Sequence, residues 1–597
     1  MPLAKEEIET SISYLIRTGI QDSVYVIRMS LNMPHEIHQR IISVYDQLVD
    51  QDRLVEGLNH QIFYPQFNPK EGCYAAAFPL RLVKKTKISP PDMIELFMDP
   101  LKQVSKDLFD VTTNGKMILF TPLLDSYGPE MYRVGAGDVK PEKILVDFSS
   151  PNIAKDMHVG HLRSTIIGDC LARLFEYQGH DVSRINHIGD FGTQFGMLLE
   201  YMARTDDVDL SLESLQTYYQ AAKLMFKEDP EFKTASLAQV ARLQAGDEEA
   251  LAVWREICTI SESGYRGIYE RLGIELEDVG ESFYREMIPE MLAEFDDHLE
   301  TDDKGRLIAM IPGFKIPLIL LKSDGAFTYD TTDLAALYYR LTTLKMDRIY
   351  YVVDMGQTTH FKLLFAFAKK VGFLTDQQVY HVPFGLVLGE DGTRIKTSRG
   401  DTPKLTDLLD EGVVKARKAI AAHGGTNRTD PESEDFETLI RSVAYGAIKY
   451  ADLQNRRVCD YKFSFNRMLQ FEGDTAVYLM YAYARIFNIL RNSGLPLPIE
   501  AEIKPKQPDE IKLLKLILRF PEIVEKTANT METHRLCNYL YDLARQFHSF
   551  FTRCRCLYYD NGTLVDCDMS RLSICQKTIE LMGTLFDLIG VDRINQI

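Results

Sequence analysis

A strand followed directly by a histidine-bearing turn and a helix constrains this chain more than any other feature. The apolar run 143–148 predicts a buried strand, and a 3.6-residue apolar period over 162–174 predicts a helix that ends near Gly179. At the start of that helix, His158 and His161 are three residues apart and share one face. Backbone N–H groups and the positive end of the helix dipole attract phosphate at such a position. The sequence therefore predicts a nucleotide-binding unit here.

The residues around the two histidines support this interpretation. Gly160 lies between them and has no Cβ to block a flat base or a ribose. A second predicted strand, 181–188, follows the helix and completes a βαβ unit. A single histidine at a helix start is more often a cap or a satisfied core side chain. Two at this spacing, preceded by Pro-Asn and by Lys155, favour a binding site.

The run 148–168 resembles the first signature of class I aminoacyl-tRNA synthetases, and over its 21 residues it is most similar to arginyl-tRNA synthetases of the eukaryotic cytoplasmic type. The resemblance implies that L-arginine and ATP form arginyl-adenylate, and that the terminal ribose of tRNA-Arg then accepts the arginyl group on its 2′-hydroxyl. Mg²⁺ is expected to arrive with ATP. The similarity extends over about 143–597 and recurs at 186–196, 322–333, 350–354 and 442–452.

A chain of 597 residues is too long for one hydrophobic core and predicts about three to five domains. The fold class expected is α/β, with a Rossmann-like doubly wound parallel sheet as the catalytic domain. The domains expected are an N-terminal α/β domain similar to the family's tRNA-elbow-binding domain (1–135), the catalytic domain (140–405) with a helical insertion at about 200–310, and a helical linker with an all-α anticodon-binding domain (406–597). The elements expected are helices at 3–19 and 33–58 and strands at 62–64, 116–120, 314–321, 348–353 and 379–388.

Composition excludes several classes of protein. No apolar run reaches the roughly 18 residues of a membrane span, and the N-terminus lacks a signal or transit pattern, so a cytoplasmic protein without membrane contact is expected. A monomer is expected. The net charge of −18 argues against non-specific nucleic-acid binding and predicts that the cations that contact tRNA are clustered locally. Nine irregularly spaced cysteines indicate a reducing compartment. No protein-bound zinc is expected. Cys554 and Cys556 form one close pair, but Cys567 and Cys575 do not form a second one, and no His completes four ligands.

Adenylate formation needs positioning and charge stabilisation rather than a protein nucleophile, because the substrate carboxylate attacks the α-phosphorus of ATP. A Gly-flanked basic loop at 389–400 fits the second phosphate-binding element. Taken alone, Arg394 and Lys396 would rather indicate a solvated charged turn, but together with the element at 147–161 they favour phosphate binding. In the family this loop usually reads Lys-Thr-Arg-Ser-Gly, whereas here Ser398 and Arg399 are in swapped order and the second lysine is absent. The resemblance implies that Lys155 replaces that lysine. It implies as catalytic residues Lys155, His158, His161 and Lys396, and as ATP-binding residues His158, Gly160, His161, Arg394, Lys396 and Ser398.

Recognition of arginine requires carboxylates opposite a planar guanidinium and an aromatic or hydroxyl wall beside it. Tyr329 and Asp333 are four residues apart, so on a helical turn they face the same space. A helix N-cap with a packed aromatic is the structural alternative for this pair. The resemblance implies that these two residues hold the guanidinium and that Asp147, Asn152 and Gln357, with His360, complete the arginine pocket.

Contacts with tRNA are less clearly encoded. Tyr481 and Arg485 are i, i+4 neighbours in a predicted helix, and an aromatic beside a guanidinium suits an unstacked base. Such aromatic stripes more often belong to a core. The resemblance places both in the anticodon-binding region together with Phe551, where a Tyr is common. It also implies that Tyr74 stacks on the tRNA elbow.

Two other functions remain open at this point. The chain could be a catalytically idle tRNA-binding scaffold derived from this fold, although His158, His161, Lys155 and Asp333 are all intact. It could also be a related nucleotidyltransferase that uses a different amino acid.

Overall fold

The structure is a computed structural model that describes residues 32–51, 53–124, 139–153, 155–206, 208–393, 395, 403–422 and 433–596. The helix predicted at 3–19 lies outside these ranges, as do Arg394, Lys396 and Ser398. None of the helices in the described ranges combines the length and the apolar content that crossing a bilayer requires.

The N-terminal region pairs three helices with a four-stranded antiparallel sheet. Its elements are α1 (Met33–Asp50), β1 (Gln66–Asn68), β2 (Cys73–Ala76), α2 (Phe78–Thr86), α3 (Pro90–Ser105), β3 (Phe109–Thr113) and β4 (Ile118–Pro122). The strand order is β1-β2-β4-β3, so the strand predicted at 116–120 is found as β4. The strand predicted at 62–64 is wrong. His60–Phe63 form a 3₁₀ turn instead, because the Asn59 side chain accepts from the backbone of Gln61 and caps it.

A five-stranded parallel sheet forms the centre of the molecule. Its elements are β5 (Lys143–Asp147), α4 (Val159–Tyr177), β6 (Asp181–Ile188), β7 (Glu277–Gly280), α10 (Tyr329–Thr342), β11 (Arg348–Tyr351), α11 (Thr358–Val371) and β12 (Gln378–His381). The strand order β12-β11-β5-β6-β7 confirms the predicted doubly wound fold. The chain leaves the central strand β5 toward β7 and later returns to its other side at β11. Ligands of such sheets bind in the crevice where the order reverses, here between β5 and β11.

Helices occupy the connection from β6 to β7, as the sequence predicted for an insertion. They are α5 (Thr193–Ala203), α6 (Leu212–Glu228), α7 (Pro230–Gln244) and α8 (Glu248–Leu272), and α9 (Ile288–Glu294) follows β7. The helical connection ends earlier than the expected position near 310, because 277–280 pair with β6 in the parallel sheet. The strand predicted at 314–321 is present but belongs to a separate antiparallel sheet of β8 (Glu300–Thr301), β9 (Leu307–Ala309) and β10 (Leu318–Leu321).

The C-terminal region is mostly helical. It contains β13 (Val387–Leu388), α12 (Leu405–Ala422), α13 (Glu434–Leu453), β14 (Tyr461–Lys462), α14 (Phe465–Met468), α15 (Ala476–Asn492), α16 (Pro508–Ile517), α17 (Phe520–Thr530), α18 (His534–Arg553), β15 (Leu557–Asp560), β16 (Thr563–Cys567) and α19 (Met569–Leu588). β13 pairs in parallel with β14, and β15 and β16 form a hairpin. One hydrophobic core runs continuously from α4 into these helices, so this region is packed directly against the signature helix.

Candidate active site

A cavity of about 600 Å³ lies at the carboxyl ends of the central strands, where the strand order reverses. Residues from distant parts of the sequence meet there because parallel strands end at the same edge of the sheet. The residues predicted from the sequence that line it are Asp147, Asn152, His158, Gly160, His161, Tyr329, Asp333, Gln357 and His360.

The turn after β5 is held in an unusual backbone conformation. Ser149 and Ser150 have φ values of 75° and 49°, which non-glycine residues rarely adopt. Hydrogen bonds stabilise this turn: the Ser149 N–H donates to Ser164 Oγ (2.9 Å), and the Ser150 N–H donates to Asn186 Oδ1 (2.9 Å). Strain of this kind persists where the surroundings over-determine it, and here it directs the chain over the cavity.

The two signature histidines cap helix α4 through one nitrogen each. His158 Nδ1 accepts from the Gly160 N–H (3.1 Å), and His161 Nδ1 accepts from the His158 N–H (3.0 Å). The two rings stack with centroids 4.1 Å apart. A Cβ on Gly160 would lie 2.9 Å from His158 Cε1, so a larger residue there would displace the imidazole. The capping alternative is therefore partly right, but it uses only the Nδ1 atoms.

Both imidazoles are kept neutral. Burial lowers the pKa of His161 to about 3, with further lowering from the charges of His158 and Lys155, and burial likewise lowers the pKa of His158. A neutral imidazole that accepts at Nδ1 carries its proton on Nε2. Two Nε2–H donors consequently remain for a ligand at the cavity wall, beside the N-terminus of a 19-residue helix.

Lys155 lies outside the lining of the cavity. Its Nζ is 5.2 Å from the centre of the Tyr219 ring on α6, and its side chain is exposed. Its charge is nevertheless close enough to lower the pKa of both signature histidines. Lys155 thus lies outside the cavity but contributes positive potential to the part of it that His158 and His161 line.

The acidic half of the cavity is organised by a histidine between two aspartates. His360 Nε2 is 2.7 Å from Asp333 Oδ2, and its Nδ1 is 2.9 Å from Asp330 Oδ1. Burial opposes the charge on His360, but the two carboxylates outweigh it and raise its pKa to about 9. Burial similarly opposes ionisation of Asp333, but the bond from His360 keeps its pKa below the usual value. Asp333 is thereby an oriented, ionised carboxylate.

Asp147 lines the cavity, and its carboxylate is paired within the protein. The buried Arg340 donates from Nη1 to Asp147 Oδ2 (2.7 Å), and Ser150 Oγ donates to Oδ1 (3.1 Å). Both side chains of the ion pair are almost fully buried, at 1% and 4% exposure. The place of Asp147 in the arginine pocket stays a prediction, and its carboxylate is already paired with the protein's own guanidinium.

Glu281 lines the cavity together with Asp147, Asp333 and Asp354, and sequence reasoning did not identify it. It follows β7 directly and lines the same space as Asp333. Burial and then the charges of Asp333 and Asp190 raise its pKa to about 8. The sequence signal that could have found it is its position at the carboxyl end of a strand. That strand was hidden in the charged region interpreted as an insertion.

The remaining predicted pocket residues lie at the entrance. Tyr329 is the first residue of α10, 60% exposed, with its ring centre 4.9 Å from that of His360. Thr328 is the N-cap of this helix, so the N-cap alternative for Tyr329 and Asp333 is not what the structure has. Asn152 and Gln357 are exposed at the cavity mouth.

A second cavity of about 910 Å³ lies in the C-terminal region and contains Tyr481, Arg485 and Phe551. The Arg485 guanidinium is 4.9 Å from the Tyr481 ring centre and 5.4 Å from that of Phe551. Both aromatic rings are 39% exposed. Arg553 and Arg555 also line this cavity, and none of its described lining residues is acidic. It is thus a local cationic surface in an acidic chain.

Tyr74 does not belong to any such surface. It lies on β2 with 1% exposure and packs edge-on against Phe67 at 5.2 Å. The predicted stacking of Tyr74 on tRNA does not fit this position, because its ring faces the core of the N-terminal sheet.

The cysteines near the C-terminus are thiols. Cys556 and Cys575 are buried with their sulfur atoms 3.8 Å apart. Within the described ranges, no group of three or more His, Cys, Asp or Glu side chains is arranged to hold a metal ion.

Comparison with known proteins places this geometry in a family. Residues 132–465 match the model for the catalytic domain of class I tRNA synthetases (R), and 479–597 match the DALR anticodon-binding domain. An arginine–tRNA ligase of Synechocystis is 41% identical over 88% of this chain and 94% of its own length. The cytoplasmic arginine–tRNA ligase of Xenopus tropicalis is 43% identical over 76% of this chain and 71% of its own length.

Solved structures agree with these matches. The arginyl-tRNA synthetase of Plasmodium falciparum superimposes with a TM-score of 0.80 at 30% identity, covering 95% of this chain and all of that one. Bacterial and animal relatives are similarly distant, so they do not single out a eukaryotic type. The family predicted from the signature residues is confirmed: this chain belongs to the class I arginyl-tRNA synthetases.

Proposed function

We propose that this chain is an arginine–tRNA ligase that activates L-arginine with ATP and transfers it to the 3′-terminal ribose of tRNA-Arg. The observation that carries the proposal is the division of one cavity into two halves. Two neutral histidines present Nε2–H donors to this cavity and define its nucleotide half, and the carboxyl groups of Asp333 and Glu281, which line the same cavity, define its arginine half. These halves suit a triphosphate and a cationic amino acid respectively.

In the nucleotide half, His158 and His161 donate to phosphate oxygens of ATP. Neutral donors fixed by a helix cap need no reorganisation as charge develops on the α-phosphate and the departing pyrophosphate, and each such contact contributes about 3–4 kcal/mol in related systems. Gly160 leaves room for the base or ribose. Lys155 supplies charge at the rim, and Arg394, Lys396 and Ser398 of the second signature loop complete the site. Mg²⁺ enters as part of the ATP substrate.

In the arginine half, Asp333 and Glu281 receive the two sides of the guanidinium, and Tyr329 forms a wall beside it. His360 positions Asp333 through a 2.7 Å contact. Asn152 and Gln357 at the mouth bind the α-amino and carboxylate groups. Asp147 lines this pocket as the partner of Arg340 and does not itself hold the guanidinium.

The tRNA is held at two further places. The C-terminal cavity binds a base of the anticodon between Tyr481, Arg485 and Phe551, since stacking on aromatic and guanidinium surfaces accommodates unstacked bases. The N-terminal domain up to about residue 135 binds the tRNA elbow without Tyr74. The catalytic domain spans about 140–405, and 406–597 form the linker and the anticodon-binding domain. The enzyme acts as a cytoplasmic monomer.

Arginine-dependent ATP–pyrophosphate exchange, measured with and without a tRNA-Arg transcript, tests the proposal. We expect exchange with arginine only, among the twenty amino acids, and charging of the transcript. Charging with a different amino acid would support the related nucleotidyltransferase. Transcript binding without exchange or charging would support the idle scaffold and refute the ligase.

A further inference from the structure

Arg163 is a buried cation next to the active site that the chemistry above does not use. It lies on α4 two residues after His161, is 1% exposed, and lines the nucleotide cavity. Its Nε is 3.2 Å from Asp452 Oδ2 on α13, and its Nη1 donates to the Cys459 carbonyl (3.0 Å). Nearly 300 residues of sequence separate these partners from the signature helix.

Arg163 binds the segment 457–462, and this segment is hydrogen-bonded to the cavity wall at 384–388. The Gly385 N–H donates to the Arg457 carbonyl (2.8 Å), and the Leu386 N–H donates to the Asp460 carboxylate (2.6 Å). Gly385 is pressed so closely onto this segment that a Cβ there would lie 2.7 Å from the Cys459 carbonyl carbon. Any shift of 457–462 therefore moves the wall at 384–388.

Aromatic contacts reinforce the same connection. The Arg163 guanidinium carbon lies 5.1 Å from the centre of the Tyr461 ring and 5.9 Å from that of Phe384, and Phe384 itself lines the cavity. The planar guanidinium of this α4 residue thus contacts both the segment 457–462 and the cavity wall at 384–388. A lysine in this place keeps the charge but loses the fork and the planar stacking surface.

We propose that Arg163 is a positioning residue for ATP, which sets the width of the nucleotide cleft by joining the first turns of α4 to the wall at 384–388. The inference rests on the proposed function in that the ligand of this cleft is ATP. Asp452 orients the guanidinium, and the bond to the Cys459 carbonyl transmits its position to the wall. The wall in turn leads directly into the loop at 389–400 that carries the second signature.

The test uses variants that separate positioning from stability. Removal of Arg163 alone leaves Asp452 as an unpaired buried charge and destabilises the fold, whereas replacement of both partners by apolar residues of similar volume is often tolerated. The variants are therefore Arg163→Lys and the double variant Arg163→Met with Asp452→Leu. Arg184→Gln is the matched control. Arg184 lies on β6 and pairs with Asp169 of α4 (2.7 Å), so it also binds the signature helix through an aspartate pair, but it does not line the cavity.

ATP–pyrophosphate exchange in the presence of tRNA gives KM for ATP and for arginine, and thermal melting gives stability. We expect kcat/KM for ATP to fall about 10- to 100-fold in both Arg163 variants, because small misplacements of bound groups have effects of that size. We expect KM for arginine in both Arg163 variants to stay within twofold of its value in the unaltered chain, and the Arg184→Gln control to keep the KM values of the unaltered chain. Wild-type KM for ATP in the double variant would overturn the proposal, as would a loss of stability without any change in KM. Absence of exchange in the unaltered chain would instead refute the proposed function.

Discussion

The proposed contact of Glu281 with the substrate guanidinium predicts that the affinity of this chain for arginine depends on the protonation of Glu281. Burial and the charges of Asp333 and Asp190 raise its pKa to about 8. At pH 7 about 0.9 of the molecules without arginine therefore carry a proton on Glu281. A guanidinium in contact with a carboxyl group lowers its pKa by about 1–3 units. Arginine binding at pH 7 is thus expected to release about 0.4 to 0.9 of a proton.

Isothermal titration calorimetry of arginine in buffers of different ionisation enthalpy measures this number directly. The slope of the observed enthalpy against the buffer's ionisation enthalpy gives the protons released per arginine bound. The affinity should also rise with pH between 6 and 8, by at most about tenfold per pH unit. Glu281→Gln is the matched control: it keeps the shape of the side chain, cannot ionise, and should bind arginine more weakly without releasing a proton.

Two results would contradict this reasoning. A binding enthalpy that is independent of the buffer in the unaltered chain would show that Glu281 is already ionised before arginine arrives. Equal proton release in the Gln variant would show that another group titrates. His360 is not that group at pH 7, because its raised pKa of about 9 keeps it protonated before and after binding.

Three further outcomes are expected. His161→Ala should reduce arginine-dependent exchange by about 10²–10³, with tRNA affinity in a filter-binding assay nearly unchanged; unchanged exchange would remove His161 from the site. Tyr74→Ala should lower the free energy of unfolding in urea by about 3–5 kcal/mol, whereas Phe551→Ala should leave it nearly unchanged and weaken tRNA binding by about 1–3 kcal/mol; the reverse pattern would contradict the placement of both rings. Because the pKa of His360 is higher in the folded state than its ordinary 6.5, its stabilisation is fully present below pH 6.5 and is lost as pH rises through about 9. Urea unfolding should therefore lose about 3 kcal/mol more between pH 6 and pH 10 in the unaltered chain than in His360→Gln.

Local sequence patterns were sufficient to predict that His158, Gly160 and His161 lie together at a helix start after a buried strand. The strand, turn and helix from 143 to 177 are contiguous, so hydrophobic period and capping residues specify them without knowledge of the rest of the fold. The same holds for Tyr329 and Asp333, whose relation depends only on one turn of helix. The fold class also followed from local signals, because alternating strands and helices with parallel pairing leave few arrangements.

Contacts between distant segments could not be read in this way. Glu281 enters the cavity only because β7 pairs with β6, across a helical connection of about 90 residues. Asp147 and Arg340 are 193 positions apart, so nothing near Asp147 indicates that its charge is already balanced. Tyr74 was placed on the surface by resemblance, but the face of a strand that is buried depends on which elements cover the sheet. In each case the missing information is a tertiary partner.

The internal pairing of Asp147 with Arg340 bears on how this site could reject lysine. With that carboxylate paired to Arg340, the arginine half contains an ionised Asp333, held by His360, and a protonated Glu281, because burial and the charges of Asp333 and Asp190 oppose a further negative charge. In the proposed arginine pocket, a ligand must therefore drive ionisation of Glu281 to obtain the second contact. A guanidinium can do so, since its fork donates to both carboxyl groups at once. An ammonium is compact and reaches one of them, which leaves the other buried without a donor. Discrimination between arginine and lysine then arises from the proton on Glu281 as well as from the shape of the pocket. Binding sites with buried polar groups reject an analogue in the same way when it cannot make one of the buried hydrogen bonds.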